Sequence, residues 1–265
     1  MENITPPTKL TITPLENEFE VEAVLSPCYP GYGSTVANAL RRVLLSSLPG
    51  SAIIAVKIRG VQHEFSTIEH VTEDVVEIIM NLKRLRVKTH TDEQHILRLN
   101  VTGKKEVTGA DFEKNSDVEV TNPAQPIATL TSKDANLEME VYIGHGVGYI
   151  PVEQQIKDEY DIGVIAIDSF FSPVKHVGSK IENVRVGKRT DYDKVKFNII
   201  TDGTITAEDA LKRSGEILVE QFKAVQALAS GEEVVASIEG DNEQEPEEEP
   251  EAEAAEEKEA ETDES

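Results

Sequence analysis

Period-two and helical apolar segments do not alternate in this 265-residue chain, and that ordering is the strongest constraint on its fold. Leu10–Thr13 and Phe19–Val24 alternate apolar and polar residues on either side of Pro14–Glu18, which predicts an opening hairpin. A helix follows from Ser34 or Thr35, as cap, to about Leu48, where Pro49-Gly50 stops it. Ala52–Ile58 reads as a strand, and Thr72–Lys83 as a second helix with Val71, Val75, Val76, Ile79 and Leu82 at helical spacing. From Leu85 to Glu153 short strands dominate, among them Ile96–Val101, Val118–Val120 and Leu137–Ile143; Ile162–Phe171, Lys180–Val186 and Val195–Ile200 are further strands. Such an order is unlike a regular βαβ series.

The last helix is the strongest. Thr206-Ala207-Glu208-Asp209 resembles a capping box, with two carboxylates where the helix dipole favours them. Leu211, Gly215, Leu218, Phe222, Val225 and Ala229 then step by four and three, and Ile217, Gln221, Ala224 and Leu228 widen the apolar face. This spacing serves packing on the chain's own sheet or on a second copy of the helix, and periodicity does not choose between them.

Charge is distributed unevenly. Glu239–Ser265 carries 13 Glu and 2 Asp against Lys258 alone, so −14 of the formal net charge of −24 lies there. After Asp241 there is no Val, Ile, Leu, Met, Phe or Tyr, so the segment cannot offset its ordering entropy by burial and is expected to be a disordered acidic tail. The remaining body is also acidic, which argues against a protein that grips nucleic acid by itself. No apolar run approaches the roughly 18 residues of a membrane span. Met1–Pro7 lacks the charged start and apolar stretch of a signal peptide. A single cysteine, Cys28, excludes an internal disulfide. A cytoplasmic protein is expected.

Motifs for chemistry are weak. His63, His70, His90, His95, His145 and His176 are dispersed, without an i, i+4 pair, and no metal or cofactor is expected. Asp191 and Asp193 share one face of a strand, but Lys194 and Lys196 stand beside them and a solvated turn is the better reading. Gly144-His145-Gly146-Val147-Gly148 follows a strand as a phosphate loop would, yet Tyr149-Ile150-Pro151 does not open a helix. Cys28 lacks an activating cation. No catalytic residue is expected. The first helix is more informative. Val36, Ala37, Leu40, Val43, Leu44 and Leu48 form its core face, while Asn38, Arg42 and Leu45 fall on a different stripe with Arg41 beside them. A guanidinium set between leucine and asparagine is the composition of an interface anchor.

Gly31–Gly50 resembles the corresponding block of the bacterial RNA polymerase alpha subunit family. Val61–Thr67, Glu73–Lys83, Gly146–Pro151, Phe171–Val174, Arg189–Lys194 and Asn198–Ala210 continue the resemblance in order, over about Leu10–Leu228. The resemblance implies an α+β fold of two subdomains. Residues 1–50 and 169–238 would form a sheet-plus-two-helix dimerisation subdomain, 51–168 an inserted strand-rich subdomain, and 239–265 the tail. It also implies a homodimeric, non-catalytic scaffold that holds the beta and beta-prime subunits, with the nucleotidyl transfer chemistry in beta-prime and DNA met only through the assembled polymerase. By matching position, Arg42 and Leu45 would face beta, with Arg41 and Asn38 on the same stripe. Lys83, Ile167, Val174 and Lys194 would lie toward beta-prime, and Leu211, Leu218, Phe222 and Val225 in the dimer interface. Two departures stand out: Val147 replaces a usual basic residue, and only the acidic tail follows the body where the family carries a DNA-binding domain. The rival readings are a small-molecule enzyme using the glycine loop and the Asp191/Asp193 pair, and an acidic DNA mimic or chaperone-like protein acting through its tail.

Overall fold

A computed structural model describes residues 4–91, 93–155, 161 and 163–231. The acidic tail, and the body end at 232–238, lie outside the described residues. The described residues divide into two units, 4–223 and 224–231, with the boundary after Lys223.

The first unit contains two hydrophobic cores. One is built on a four-stranded antiparallel sheet in the order β1-β2-β14-β13, with β1 Lys9–Pro14, β2 Glu20–Cys28, β13 Val174–Val186 and β14 Arg189–Thr201. The expected opening hairpin is present, its second strand extending to Cys28 so that Leu10 pairs with Leu25, and β14 then lies beside β2. Along β14, Val195, Phe197 and Ile199 are buried while Lys194, Lys196 and Asn198 face the other way, the two-sided pattern of a sheet covered on one face. Two helices supply the cover: α1, Tyr32–Ser46, through Ala37 and Leu44, and α3, Ala207–Ala229, through Ala207, Ala210 and Leu211.

The second core is built on another antiparallel sheet, β11-β3-β9-β5: Val164–Ala166, Pro49–Ile58, Asn136–Val147 and His95–Thr102. Leu97, Leu99 and Val101 of β5 point inward with Leu137, Met139, Val141 and Ile143 of β9. Helix α2, Val75–Leu82, packs Val75, Ile78 and Leu82 into the same core. Three two-stranded ladders complete this part. They pair β4 (Val87–Thr89) with β7 (Val118–Val120), β6 (Lys105–Thr108) with β8 (Pro126–Leu130), and β10 (Tyr149–Ile150) with β12 (Ser169–Phe170). Among the described residues, no helix is long and apolar enough to cross a membrane.

The chain passes between the cores twice, near Gly50 and near Phe171, and the two crossings touch. A Cβ on Gly50 would stand 2.1 Å from the Phe171 carbonyl oxygen, so only glycine permits the approach. Ser172 Oγ donates to the Leu45 carbonyl at 3.1 Å, and Ser169 Oγ donates to that of Ile53 at 2.8 Å.

Several local expectations require correction. The first helix starts at Tyr32, before Ser34 and Thr35; its cap position is Gly31 at φ 81°, and Ser34 Oγ bonds back to the Gly31 carbonyl. The Pro49-Gly50 pair ends α1 by opening β3, because its backbone pairs with Val147 and Gly146 of β9. The second helix begins at Val75, since Asp74 takes the N-cap role and accepts from Glu77 N at 2.7 Å. Glu73 is thereby freed to clamp Thr129 through its backbone N–H (2.6 Å) and hydroxyl (2.9 Å). Gly144–Val147 is no loop: these residues end β9 in register with β3.

Candidate assembly surfaces

The N-terminus of α1 is anchored from 160 residues away. Asp193 Oδ2, on β14, accepts from both Gly31 N and Gly33 N at 3.0 Å. The two donors are among those a helix start leaves without intrahelical partners, and a carboxylate is the favoured acceptor there. Asp193 is therefore a helix anchor within a strand, where the sequence suggested a solvated turn. Its neighbour Asp191 turns to Arg189, whose guanidinium approaches within 2.8 Å and holds the carboxyl below its ordinary range.

On the anchored helix, Ala37, Leu44 and the following Leu48 are buried, and Val36, Leu40 and Val43 are half-buried, so the expected core face is the face that packs. Asn38, Arg41 and Arg42 are exposed, and among the described residues neither guanidinium has a hydrogen-bond or ion-pair partner. Leu45 differs from them: it is half-buried and packs partly against the chain's own core. The stripe thus consists of a fixed leucine beside three outward polar groups.

Helix α3 is divided along its length. Thr206 Oγ1 accepts from Asp209 N at 3.1 Å, completing the expected cap. Ala207, Ala210, Leu211 and Ser214 are buried, and Ile217 packs partly on the same core. Farther on, Val219 is 51% exposed and Phe222 66%. In the second unit Val225 is 63% and Leu228 60% exposed. Leu211 belongs to the chain's own core and Leu218 is half-buried. Of the residues expected in a dimer interface, Phe222 in the first unit and Val225 in the second are each exposed.

The four positions assigned toward beta-prime do not form one patch. Ile167 and Val174 are each 1% exposed and fill different cores, so their side chains present nothing outward; regular strand and loop packing takes them inward. Lys83 pairs with Asp168, which also accepts from Tyr149 hydroxyl at 3.2 Å. Burial raises the Asp168 carboxyl, but Lys83 outweighs it and holds the group below its ordinary range. Lys194 lies on the other sheet, opposite Glu182. Eight strand steps, about 26 Å, separate Val174 from Glu182.

Glu182 is the acidic centre that sequence reasoning missed. Its Oε2 lies 3.1 Å from both Lys194 and Lys196, and its Oε1 lies 3.2 Å from Lys180. Lys196, then Lys194 and Lys180, lower its pKa to about 2. The i, i+2 spacing of Lys194 and Lys196 was a visible signal; their shared partner came from the other strand of the hairpin. Val147 is 49% exposed, with Tyr149 56% and Phe170 48% on the adjoining ladder. Cys28 is buried, and desolvation followed by the nearby Asp193 charge pushes its thiol up, the reverse of an activated nucleophile. Among the described residues no three His, Cys, Asp or Glu side chains gather as a metal site would need.

Residues 56–172 match the model of the RNA polymerase Rpb3/RpoA insert domain. A protein of Oceanobacillus iheyensis named DNA-directed RNA polymerase subunit alpha is 42% identical over 247 residues, covering 92% of this chain and 78% of that protein. The chain belongs to the RNA polymerase alpha-subunit family. Two further relatives bear the same name. That of Carboxydothermus hydrogenoformans is 43% identical over 82% of this chain and 70% of its own length. That of Maridesulfovibrio salexigens is 45% identical over 82% of this chain and 62% of its own length. The alpha-family insert match covers α2, β5, β9 and the ladders, the elements that enclose the second core.

Proposed function

We propose that this chain is the alpha subunit of a DNA-directed RNA polymerase, acting as a homodimeric, non-catalytic scaffold that nucleates assembly of the beta and beta-prime subunits. Family membership supports the polymerase reading. The observation that carries the scaffold reading is the division of α3: one stretch seals the chain's own core, while Val219 and Phe222 remain open on the same helix. Large exposed apolar side chains on one element mark a protein contact, and a second copy of the helix would cover them with matching surface. The dimerisation part comprises residues 1–50 and 169–238, and 51–168 is the insert.

The beta subunit docks on Asn38, Arg41, Arg42 and Leu45 of α1. Asp193 sets the start of that helix, Leu45 packing sets its rotation, and the exposed guanidiniums are left to meet carboxylates or carbonyls of the partner. Beta-prime meets two separate places, Lys83 beside Asp168 and Lys194 on the β13–β14 hairpin, while Ile167 and Val174 stay buried in the two cores. Nucleotidyl transfer and its metal-binding acids reside in beta-prime, and this subunit meets DNA only through the assembled enzyme, in the cytoplasm. Reconstitution tests the reading: the purified chain is expected to dimerise and to capture beta, then beta-prime. Arg42→Ala should leave the dimer intact and weaken beta capture by about tenfold or more, the scale of an interface anchor. A monomeric chain that captures neither subunit would overturn the scaffold.

A further inference from the structure

We propose that the outer face of the β13–β14 hairpin, at Lys180, Lys194 and Lys196, docks a carboxylate-rich segment of a protein partner. The inference rests on the reading of Lys194 as partner-facing and adds the chemistry of what it meets. Lys180 lies opposite Lys196, and Glu182 opposite Lys194, so the four side chains form a square on one face of two paired strands. All three ammonium groups converge on the single Glu182 carboxylate, within 3.1 to 3.2 Å. One negative charge against three positive ones leaves two positive charges crowded together. Lys194 and Lys196 even share one carboxylate oxygen.

Like charges held this close repel, and a second anion would relieve the repulsion. The chain's own helices cannot provide it, since α1 and α3 pack on the opposite face of this sheet. The lysines also stand on an acidic protein, where a cationic square is a local exception that selects a negative partner.

The surroundings specify a peptide and not a nucleic acid. The square spans about 7 Å along the strands and about 5 Å across, room for one or two carboxylates. Its neighbours on the same face are Val24, paired with Lys196, and the half-buried Val184–Tyr192 pair, which offer apolar contact to a polypeptide. Two residues beyond Lys196 along β14, Asn198 pairs with Glu22, so a phosphate chain extending across the sheet would meet a carboxylate.

The experiment uses the full chain, wild type and Lys180→Gln/Lys196→Gln, whose exposed or half-exposed side chains can be shortened of charge without opening the core. Circular dichroism and light scattering check that the variant keeps its fold and association state. Binding of purified beta-prime and beta is measured from about 50 to 300 mM salt. Wild-type affinity for beta-prime is expected to fall with salt, and the variant to bind at least about tenfold more weakly at low salt with a flatter salt dependence, while beta capture is unchanged. Unchanged beta-prime affinity and salt dependence in the variant would overturn the docking site and leave the scaffold standing. Wild-type chain that captures neither subunit would overturn the scaffold instead. A fluorescent peptide of alternating Glu and Leu then decides the docking site alone: binding lost in the variant supports it, and equal binding to both proteins overturns it. A labelled 20-base-pair DNA duplex that binds wild type and not the variant would overturn the assignment to a protein segment.

Discussion

Asp193 Oδ2 and Gly33 N lie 3.0 Å apart, although 160 residues separate them in the chain. This contact joins the start of α1 to the strand beneath it and fixes where the helix begins. Gly33 permits it, because a Cβ there would stand 2.6 Å from Asp193 Cβ. Replacing Asp193 by Ala removes the acceptor from Gly31 and Gly33 together. The expected loss is about 1–2 kcal/mol, the usual worth of a helix-capping side chain, seen as a fall of roughly 2–8 °C in Tm. Gly33→Ala should weaken the same contact by displacing the carboxylate. Thermal unfolding of both variants checks this, and an unshifted Asp193→Ala midpoint would refute the anchor.

The paired crossings between the cores make Gly50 the least replaceable glycine. Its missing side chain is occupied by the Phe171 carbonyl oxygen at 2.1 Å from the ideal Cβ position, and backbone cannot rotate aside as a side chain can. Gly50→Ala is expected to cost about 3 kcal/mol or to yield insoluble protein. Denaturant titration of the soluble fraction measures the loss, and a variant within about 0.5 kcal/mol of wild type would contradict the close approach.

The open stretch of α3 carries the association prediction. Leu218→Glu with Phe222→Glu places charge where a second helix would pack, without entering the positions that Ala210, Leu211 and Ser214 seal. The variant should be monomeric in light scattering, with an unchanged helical signal in circular dichroism. A dimer that survives both substitutions would place the interface elsewhere.

Glu182 predicts an acid-side dependence. Its carboxyl is lowered from 4.5 to about 2 by Lys196, Lys194 and Lys180. A group whose folded pKa is depressed contributes stability that is fully present above its unfolded value and is lost as pH falls through the folded one. Stability should therefore decline between about pH 4.5 and pH 2, and Glu182→Gln should remove that part of the decline. Chemical unfolding of both proteins across the window measures it. Identical pH profiles would show that the lysines do not hold the carboxylate.

What the sequence determined by itself was part of the set of elements; the expected Ile162–Phe171 strand is instead two short strands in different sheets, Val164–Ala166 and Ser169–Phe170. The opening hairpin, the core face of α1, the cap and length of α3 and the 118–120 strand are local matters, governed by period-two alternation, helical spacing and turn residues within a few positions. The family blocks were legible for the same reason, as short contiguous runs. The tertiary structure decided which charged groups meet. Asp193 looked like a residue of a solvated turn because its partners stand at Gly31 and Gly33, and Lys194 and Lys196 looked like flanking charge because Glu182 lies on the other strand of the hairpin. Ile167 and Val174, placed toward beta-prime only by resemblance, have side chains buried in two separate cores. Burial and pairing between distant positions depend on how sheets stack and register, and those are properties of the folded chain as a whole.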